Sequence, residues 1–93
     1  MIFEIIDKTG RKIRLTKEQW KHIQKKHPNL EINDIKIAIK NSIVIYQIDG
    51  EIAVYYFYFK HRKEISKYLK IIVKYLNGKG YVITSYFVKN MLK

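Results

Sequence analysis

The sequence contains no cysteine, and this absence excludes several kinds of protein at once. Disulfide scaffolds, zinc sites built on thiolates and enzymes with a cysteine nucleophile all need that side chain. Apolar runs such as Ile52–Phe59 fall far short of the ~20 residues that a membrane-spanning helix needs. The N-terminus, Met1–Glu4, lacks the basic segment and apolar stretch of a signal peptide. We therefore expect a cytoplasmic protein with no membrane partner.

Glycine and acidic residues are also scarce. None of the 4 glycines belongs to a phosphate-binding loop, because Asn77–Gly80 is better explained as a turn. The 8 acidic residues are scattered over separate elements and turns, which disfavours hydrolysis by paired carboxylates. His22 and His27 are five positions apart, whereas metal-binding histidines on one helix favour an i, i+4 spacing. We therefore expect no metal and no cofactor.

Positive charge is abundant and unevenly placed. There are 19 Lys and Arg residues against 8 Asp and Glu, which gives a net charge of +11. Residues 60–93 alone carry nine basic residues and a single acidic one, Glu64. Such a field attracts a polyanion, and nucleic acid is the commonest polyanion for a small basic domain. The alternative is that the charge only solvates a basic surface.

Turn and cap signals divide the chain into a hairpin, two helices and a set of strands. Residues 2–6 and 12–15 flank a turn-rich break and form a hairpin. Thr16 is a helix N-cap with Gln19 completing a capping box, and the helix runs over Lys17–Lys26 until His27-Pro28 ends it. A second helix, with an isoleucine stripe, spans about Leu30–Lys40.

The remaining chain has the pattern of strands. Ile43–Ile48 and Ile52–Phe59 flank an Asp-Gly hairpin signal, and Tyr68–Leu76 and Tyr81–Val88 flank Asn77–Gly80. The fold class is therefore α+β: an N-terminal hairpin and two helices packed on a four-stranded antiparallel sheet. Residues 1–93 are too few for more than one domain.

Alternation along the strands assigns the outward-facing residues. Lys70 and Lys74 point away from the core side of their strand, and Thr84 and Tyr86 share that opposite face on the last strand. Phe87 and Ile83 suit the core.

The strand Ile52–Phe59 is apolar on both faces, which indicates an interior strand with helices on one side. The aromatic side chains on its far side, Tyr56 and Tyr58 in preference to Tyr55 and Phe57, are candidates to stack on bases, although such residues more often serve packing.

The available chemistry is acid–base catalysis by histidine and tyrosine in a field of cations. This suits RNA cleavage without a metal, in which the ribose 2′-OH attacks the adjacent phosphorus and the protein moves protons. His27 is the leading candidate, because it ends a helix on the face of Trp20 and Ile23. Its alternative role is to cap the helix C-terminus. His22 is a weaker candidate on another face of the helix.

A basic turn supplies candidate phosphate contacts. Lys60, His61 and Arg62 follow one strand directly, and such side chains commonly position a nucleic-acid backbone. Lys70 and Lys74 are candidates for the same role by the face they occupy.

Several of these segments together resemble a known family. The run Leu15–Ile23, then His27-Pro28-Asn29, a second helix and the C-terminal segment Gly80–Tyr86 resemble phage-type members of the barnase/EndoU/colicin/RelE-like (BECR) ribonuclease superfamily. Ser85 stands where that pattern would have alanine.

The resemblance implies a helix-plus-antiparallel-sheet fold and metal-independent cleavage of RNA. It also implies that His22, His27, Thr84 and Tyr86 line the site. Members of this superfamily are often toxins of toxin–antitoxin systems or effectors of mobile elements, which implies an acidic antitoxin or inhibitor as a partner. The alternative function is a non-catalytic, basic nucleic-acid-binding module.

Overall fold

A computed structural model describes residues 1–91, and Leu92 and Lys93 of the predicted domain lie outside the described residues. Within residues 1–91 there are six strands and two helices in this order: β1 (Phe3–Ile6), β2 (Lys12–Leu15), α1 (Lys17–Lys26), α2 (Ile32–Lys40), β3 (Val44–Gln47), β4 (Ile52–Tyr58), β5 (Tyr68–Leu76) and β6 (Lys79–Val88). The predicted α+β class is confirmed. Neither helix of the described part is long and apolar enough to cross a membrane.

All six strands belong to one mixed sheet, in the order β1-β2-β6-β5-β4-β3. The predicted antiparallel meander β3–β6 is present. The prediction of a four-stranded, purely antiparallel sheet is wrong, because the N-terminal hairpin joins the same sheet and β2 pairs in parallel with β6. A parallel pairing between distant segments has no local turn signal, so the pattern of either strand alone does not reveal it.

Gly80 explains how β2 fits beside β6. A Cβ atom on Gly80 would lie 2.5 Å from Ile13 Cδ1 and 2.8 Å from Val73 Cγ1. Both neighbours are fully buried, so a side chain at this position has no free space. The predicted four-residue turn is correspondingly shorter: Asn77 and Gly78 have positive φ (53° and 78°), and Lys79 and Gly80 belong to the strand.

Helix α1 takes the place of a strand beside the second half of β6. Strand β2 pairs only with Lys79–Tyr81, after which the chain leaves the sheet and enters α1. The helix begins as predicted at Thr16, whose side chain accepts a hydrogen bond from the Gln19 backbone N–H. The Gln19 side chain does not close a capping box: its Nε2 donates to the Ile83 carbonyl of β6 at 2.9 Å. Helix α1 therefore covers an edge of β6 that has no neighbouring strand.

The core lies between the helices and one face of the sheet, which we call the core face. Helix α2 buries Ile35, Ala38 and Ile39, and the alternate residues of β5 predicted to face the core are all buried there. The opposite face of the sheet, which we call the open face, carries the residues that alternate with these buried ones along β5, such as Lys70. Burial of this apolar surface is the main stabilising contribution to the fold.

A buried hydrogen-bonded cluster ties the N-terminal hairpin to the centre of the sheet. The Asp7 carboxylate accepts from the Tyr55 hydroxyl at 2.5 Å, from both Thr9 donors and from the Arg11 backbone N–H. The Tyr55 hydroxyl also lies 2.7 Å from that of Tyr75. Burial, with the hydrogen bonds to Asp7 and Tyr75, raises the pKa of Tyr55 far above its ordinary value, so this phenol stays neutral.

We expect this cluster to make stability depend on acid pH. Burial alone would raise the Asp7 pKa, but the hydrogen bonds from Tyr55, Thr9 and Arg11 outweigh it and hold the pKa below its ordinary value. The carboxylate therefore stabilises the fold fully above the unfolded-state pKa of about 4, and this contribution is lost as the pH falls through the lower folded-state pKa.

The Asp7→Asn variant should be less stable at pH 7 by about 1–3 kcal/mol, because an amide places a donor among donors. The free energy of unfolding, measured by urea titration over a range of pH, should show the gap to the wild type closing as the pH falls below about 4. A gap that is constant with pH would contradict a charged, hydrogen-bonded Asp7.

Candidate active site

His27 lies where the sequence predicts, at the C-terminal end of α1. Its backbone N–H donates to the Ile23 carbonyl at 2.8 Å, and its backbone leaves the helical conformation before Pro28. The ring is half-buried and stacks on the Tyr86 ring, with 5.4 Å between centroids and 26° between planes. His27 therefore both caps α1 and faces the sheet.

Tyr86 joins this histidine to a lysine of the open face. It lies directly opposite Lys70 of β5, and the Lys70 Nζ atom is 5.7 Å from the Tyr86 ring centroid. One tyrosine ring therefore contacts an imidazole from α1 and approaches an ammonium group from β5. The three side chains come from three elements and meet near the end of β6.

A cleft of about 320 Å³ opens beside the stacked rings. Its walls are residues 26–30, part of the β4–β5 loop and the last residues of β6. Arg62 is a fixed cation in this wall: its guanidinium lies 3.5 Å from the Phe87 ring centroid, and its Nε donates to the Ser66 carbonyl at 2.8 Å. Glu64 lies 3.7 Å from the same Nε and is mostly exposed. The cleft is therefore bordered by a histidine, a phenol and an arginine.

Two of the predicted residues share the open face with Tyr86 but lie farther along the strands. Thr84 is opposite Ile72, two residues from Tyr86. Lys74 is opposite Tyr81, and four residues of strand place it about 13 Å from Lys70. A bulge near Ile72 and Val73 shifts the register between them. Only Lys70 of the two predicted lysines approaches the His27–Tyr86 pair.

The other predicted residues lie outside this cluster. His22 is exposed on α1, and Lys60 and His61 are exposed in the β4–β5 loop. Lys60 and His61 line a second cleft of about 640 Å³, which shares Arg62 and Phe87 with the first. His22 therefore lies away from the His27–Tyr86 pair, although the resemblance implies that both histidines line the site, and His61 lies beside the neighbouring cleft.

The two tyrosines predicted to stack on bases have different surroundings. Both occupy the open face as expected, opposite Lys70 and Tyr68. Tyr56 is completely buried (0% exposed), so its ring is closed to a base in this conformation. Tyr58 is 41% exposed and packs against Tyr68, with 4.9 Å between ring centroids. Tyr58 alone of this pair presents ring surface.

Sequence reasoning missed the part that Phe87 and Lys26 play in the cleft. Both line it, and Phe87 also supports the Arg62 guanidinium. Alternation correctly placed Phe87 on the core face, opposite Leu69. The available signal was its position near the end of β6, because the antiparallel pairing of β5 with β6 brings that end next to the basic β4–β5 loop.

Comparison of the chain with family models, with curated proteins and with solved structures found no match.

Proposed function

We propose that the protein is a small, metal-independent endoribonuclease. The observation that carries the proposal is the stacking of His27 on Tyr86, with the Lys70 ammonium beside the same ring. Acid–base cleavage of RNA needs a proton acceptor, a proton donor and a cation around one phosphodiester. His27, Tyr86 and the cation Arg62 all line the cleft, and Lys70 lies beside the Tyr86 ring.

In the proposed reaction the ribose 2′-OH attacks the adjacent phosphorus and the bond from phosphorus to the 5′-oxygen breaks. The products are a 2′,3′-cyclic phosphate and a free 5′-hydroxyl. His27 exchanges protons with the reacting oxygens, the role that histidine most often has in acid–base catalysis. The Tyr86 hydroxyl supplies a hydrogen bond or a proton to a phosphate oxygen. The proton that His27 takes from the 2′-oxygen is delivered by its imidazolium to the leaving 5′-oxygen, so the enzyme ends in its starting protonation state.

Two cations stabilise the extra negative charge of the phosphorane. Arg62 lines the cleft from the β4–β5 loop, and Lys70 lies beside the Tyr86 ring on the open face, so the two charges reach the site from different elements. Arg62 is already held by its contacts with Phe87 and Ser66, and a pre-positioned donor needs little reorganisation during the reaction. Thr84, on the same face as Tyr86, is a further group for a phosphate oxygen.

Membership of the BECR superfamily and a toxin role belong to the same proposal. Their support is the motif resemblance together with the arrangement of the His27 and Tyr86 rings. A net charge of +11 also suits an acidic antitoxin or inhibitor, because complementary charge speeds association and favours the correct partner. The competing function, a nucleic-acid-binding module without catalysis, draws on the same charge but needs neither the histidine nor the phenol.

The His27→Ala variant should lose RNA cleavage by about 10²–10⁴-fold in buffer that contains EDTA, because the main proton-transfer group is removed. The measurement is the initial rate on a labelled single-stranded RNA, with the product ends analysed for cyclic phosphate. Gln24→Ala, at an exposed position of the same helix, is the matched control and should keep the wild-type rate.

Circular dichroism should show that His27→Ala is folded, since the lost ring contact is worth only about 1 kcal/mol. If RNA stays intact at high concentrations of the wild-type protein, the nucleic-acid-binding module without catalysis becomes the better-supported function. Equal rates for wild type and His27→Ala would remove this histidine from the mechanism.

The Tyr86→Phe variant separates the ring from its hydroxyl. Phenylalanine keeps the stacking surface for His27, so we expect a melting temperature close to that of the wild type. Cleavage should fall by at least about tenfold if the hydroxyl acts on a phosphate oxygen. An unchanged rate in the same EDTA assay would restrict Tyr86 to positioning His27.

A further inference from the structure

We infer that the open face carries a second, distal RNA-binding surface that holds single-stranded RNA beyond the cleft. This surface, the distal patch, consists of Lys12, Arg14, Lys74, Lys79 and Tyr81. The inference rests on the proposed function for the identity of the strand, but its placement depends only on the sheet. Of these residues, only Lys74 stands out in the sequence pattern, because the others are brought together by the parallel pairing of β2 with β6.

The strand register gathers these residues on one face. Lys12 lies opposite Lys79 and Arg14 opposite Tyr81 across the β2–β6 pair, and Tyr81 lies opposite Lys74 across the β5–β6 pair. Their neighbours Ile13, Gly80 and Val73 are buried on the core face, which directs the distal patch to the open face. Three adjacent strands thus contribute cations around one tyrosine ring.

The balance of charge within the distal patch favours an anionic partner. Glu4 is the acidic residue paired with it, through an ion pair of 2.6 Å to Arg14. Lys12 and Lys79 also hold the Glu4 pKa down, after the larger effect of the Arg14 hydrogen bond. One carboxylate therefore stands against four cations, so the distal patch keeps a strong positive field.

The Lys12–Lys79 pair is a second, independent sign of a binding role. Like charges directly opposite each other on neighbouring strands oppose folding. Lys12 is exposed, Lys79 is half-buried, and both side chains lie on the same face. A like-charge pairing that raises the local potential is expected where a ligand, and not stability, determines the residues.

Its position relative to the cleft indicates the length of the RNA. Lys74 is four residues along β5 from Lys70, about 13 Å away. Beyond it, Lys79 lies one strand spacing of about 4.8 Å from β5 and Lys12 lies two. A strand whose reacting phosphate lies at His27 and Tyr86 can follow β6 to the distal patch only if it extends for several nucleotides. Alternating cations and aromatic rings are the common composition of single-strand-binding grooves. We therefore expect a preference for single-stranded substrates longer than a trinucleotide.

The test is the binding of fluorescent 2′-O-methyl RNA, which lacks the attacking hydroxyl, to Lys12→Gln/Lys79→Gln and to a control, Lys36→Gln/Lys40→Gln. The control removes the same charge from α2, on the helix side of the sheet. For a dodecamer, the double variant should bind about 10- to 25-fold more weakly at ~0.1 M salt, with a log–log salt slope smaller by about 1.4, as for two lost phosphate contacts. Trimer binding and the affinity of the control should change by less than about threefold.

The melting temperature of Lys12→Gln/Lys79→Gln should stay close to that of the wild type, because the variant removes both the repulsion between the two lysines and their attraction to Glu4. Equal losses for the two double variants would overturn the distal patch in favour of diffuse charge. The RNA-binding role would also be overturned if polyglutamate bound in a way that depends on Lys12 and Lys79 while the dodecamer did not bind. The partner of the distal patch would then be an acidic protein.

The two proposals fail separately. Predicted binding by the dodecamer, with natural RNA left intact in the cleavage assay, supports the distal patch and contradicts the ribonuclease. Cleavage of natural RNA, with dodecamer binding that is insensitive to Lys12 and Lys79, supports the ribonuclease and contradicts the distal patch.

Discussion

The packing of α1 along the edge of β6 is the constraint on which the rest of the molecule depends. Strand β2 leaves β6 after Tyr81, and backbone groups on an uncovered strand edge are open to unwanted pairing. Helix α1 covers that edge, and Gln19 satisfies the Ile83 carbonyl. Because the helix lies beside the strand, its last residue, His27, reaches the Tyr86 ring at the strand's end. The same packing of α1 therefore covers the edge of β6 and assembles the candidate site.

The cap at each end of α1 fixes the length of that contact. Thr16 starts the helix, and Pro28 prevents its continuation, since the residue before a proline disfavours the helical conformation. A helix of 10 residues extends about 15 Å. An additional turn would carry the imidazole past Tyr86. The local signals for helix ends thus have a direct influence on where an imidazole meets the sheet.

Short-range signals in the sequence were sufficient for most elements. The bounds of α1 and β5 agree with the predictions, because a Thr cap, a His-Pro stop and strict alternation each act within a few residues. The same alternation placed Tyr86 and Lys70 on one face. The sequence could not reveal the β2–β6 pairing, which joins distant segments, and Gly80 was assigned to a turn because its neighbours Gly78 and Lys79 suggested one.

The candidate site was predictable in its residue types and less so in its arrangement. His27, Tyr86 and Lys70 were singled out from face and position, and the structure brings them together. His22 and Lys74 were also singled out, and helix rotation and strand length, which the sequence does indicate, place them away from the cleft. Tyr56 is closed off by burial, which depends on packing between elements and is not expressed in a single sequence.

The parallel pairing of β2 with β6 also governs when the candidate site exists during synthesis. Strand β2 has no partner other than β1 until β6, which follows both helices and three other strands, and pairing over such a sequence separation is slow to form. A growing chain that has not yet released β6 from the ribosome has His27 but neither Tyr86 nor Lys79. Without β6, there is no strand to join the N-terminal hairpin and α1 to the rest of the sheet. Cleft and cationic surface therefore arise together, and only after β6 has emerged.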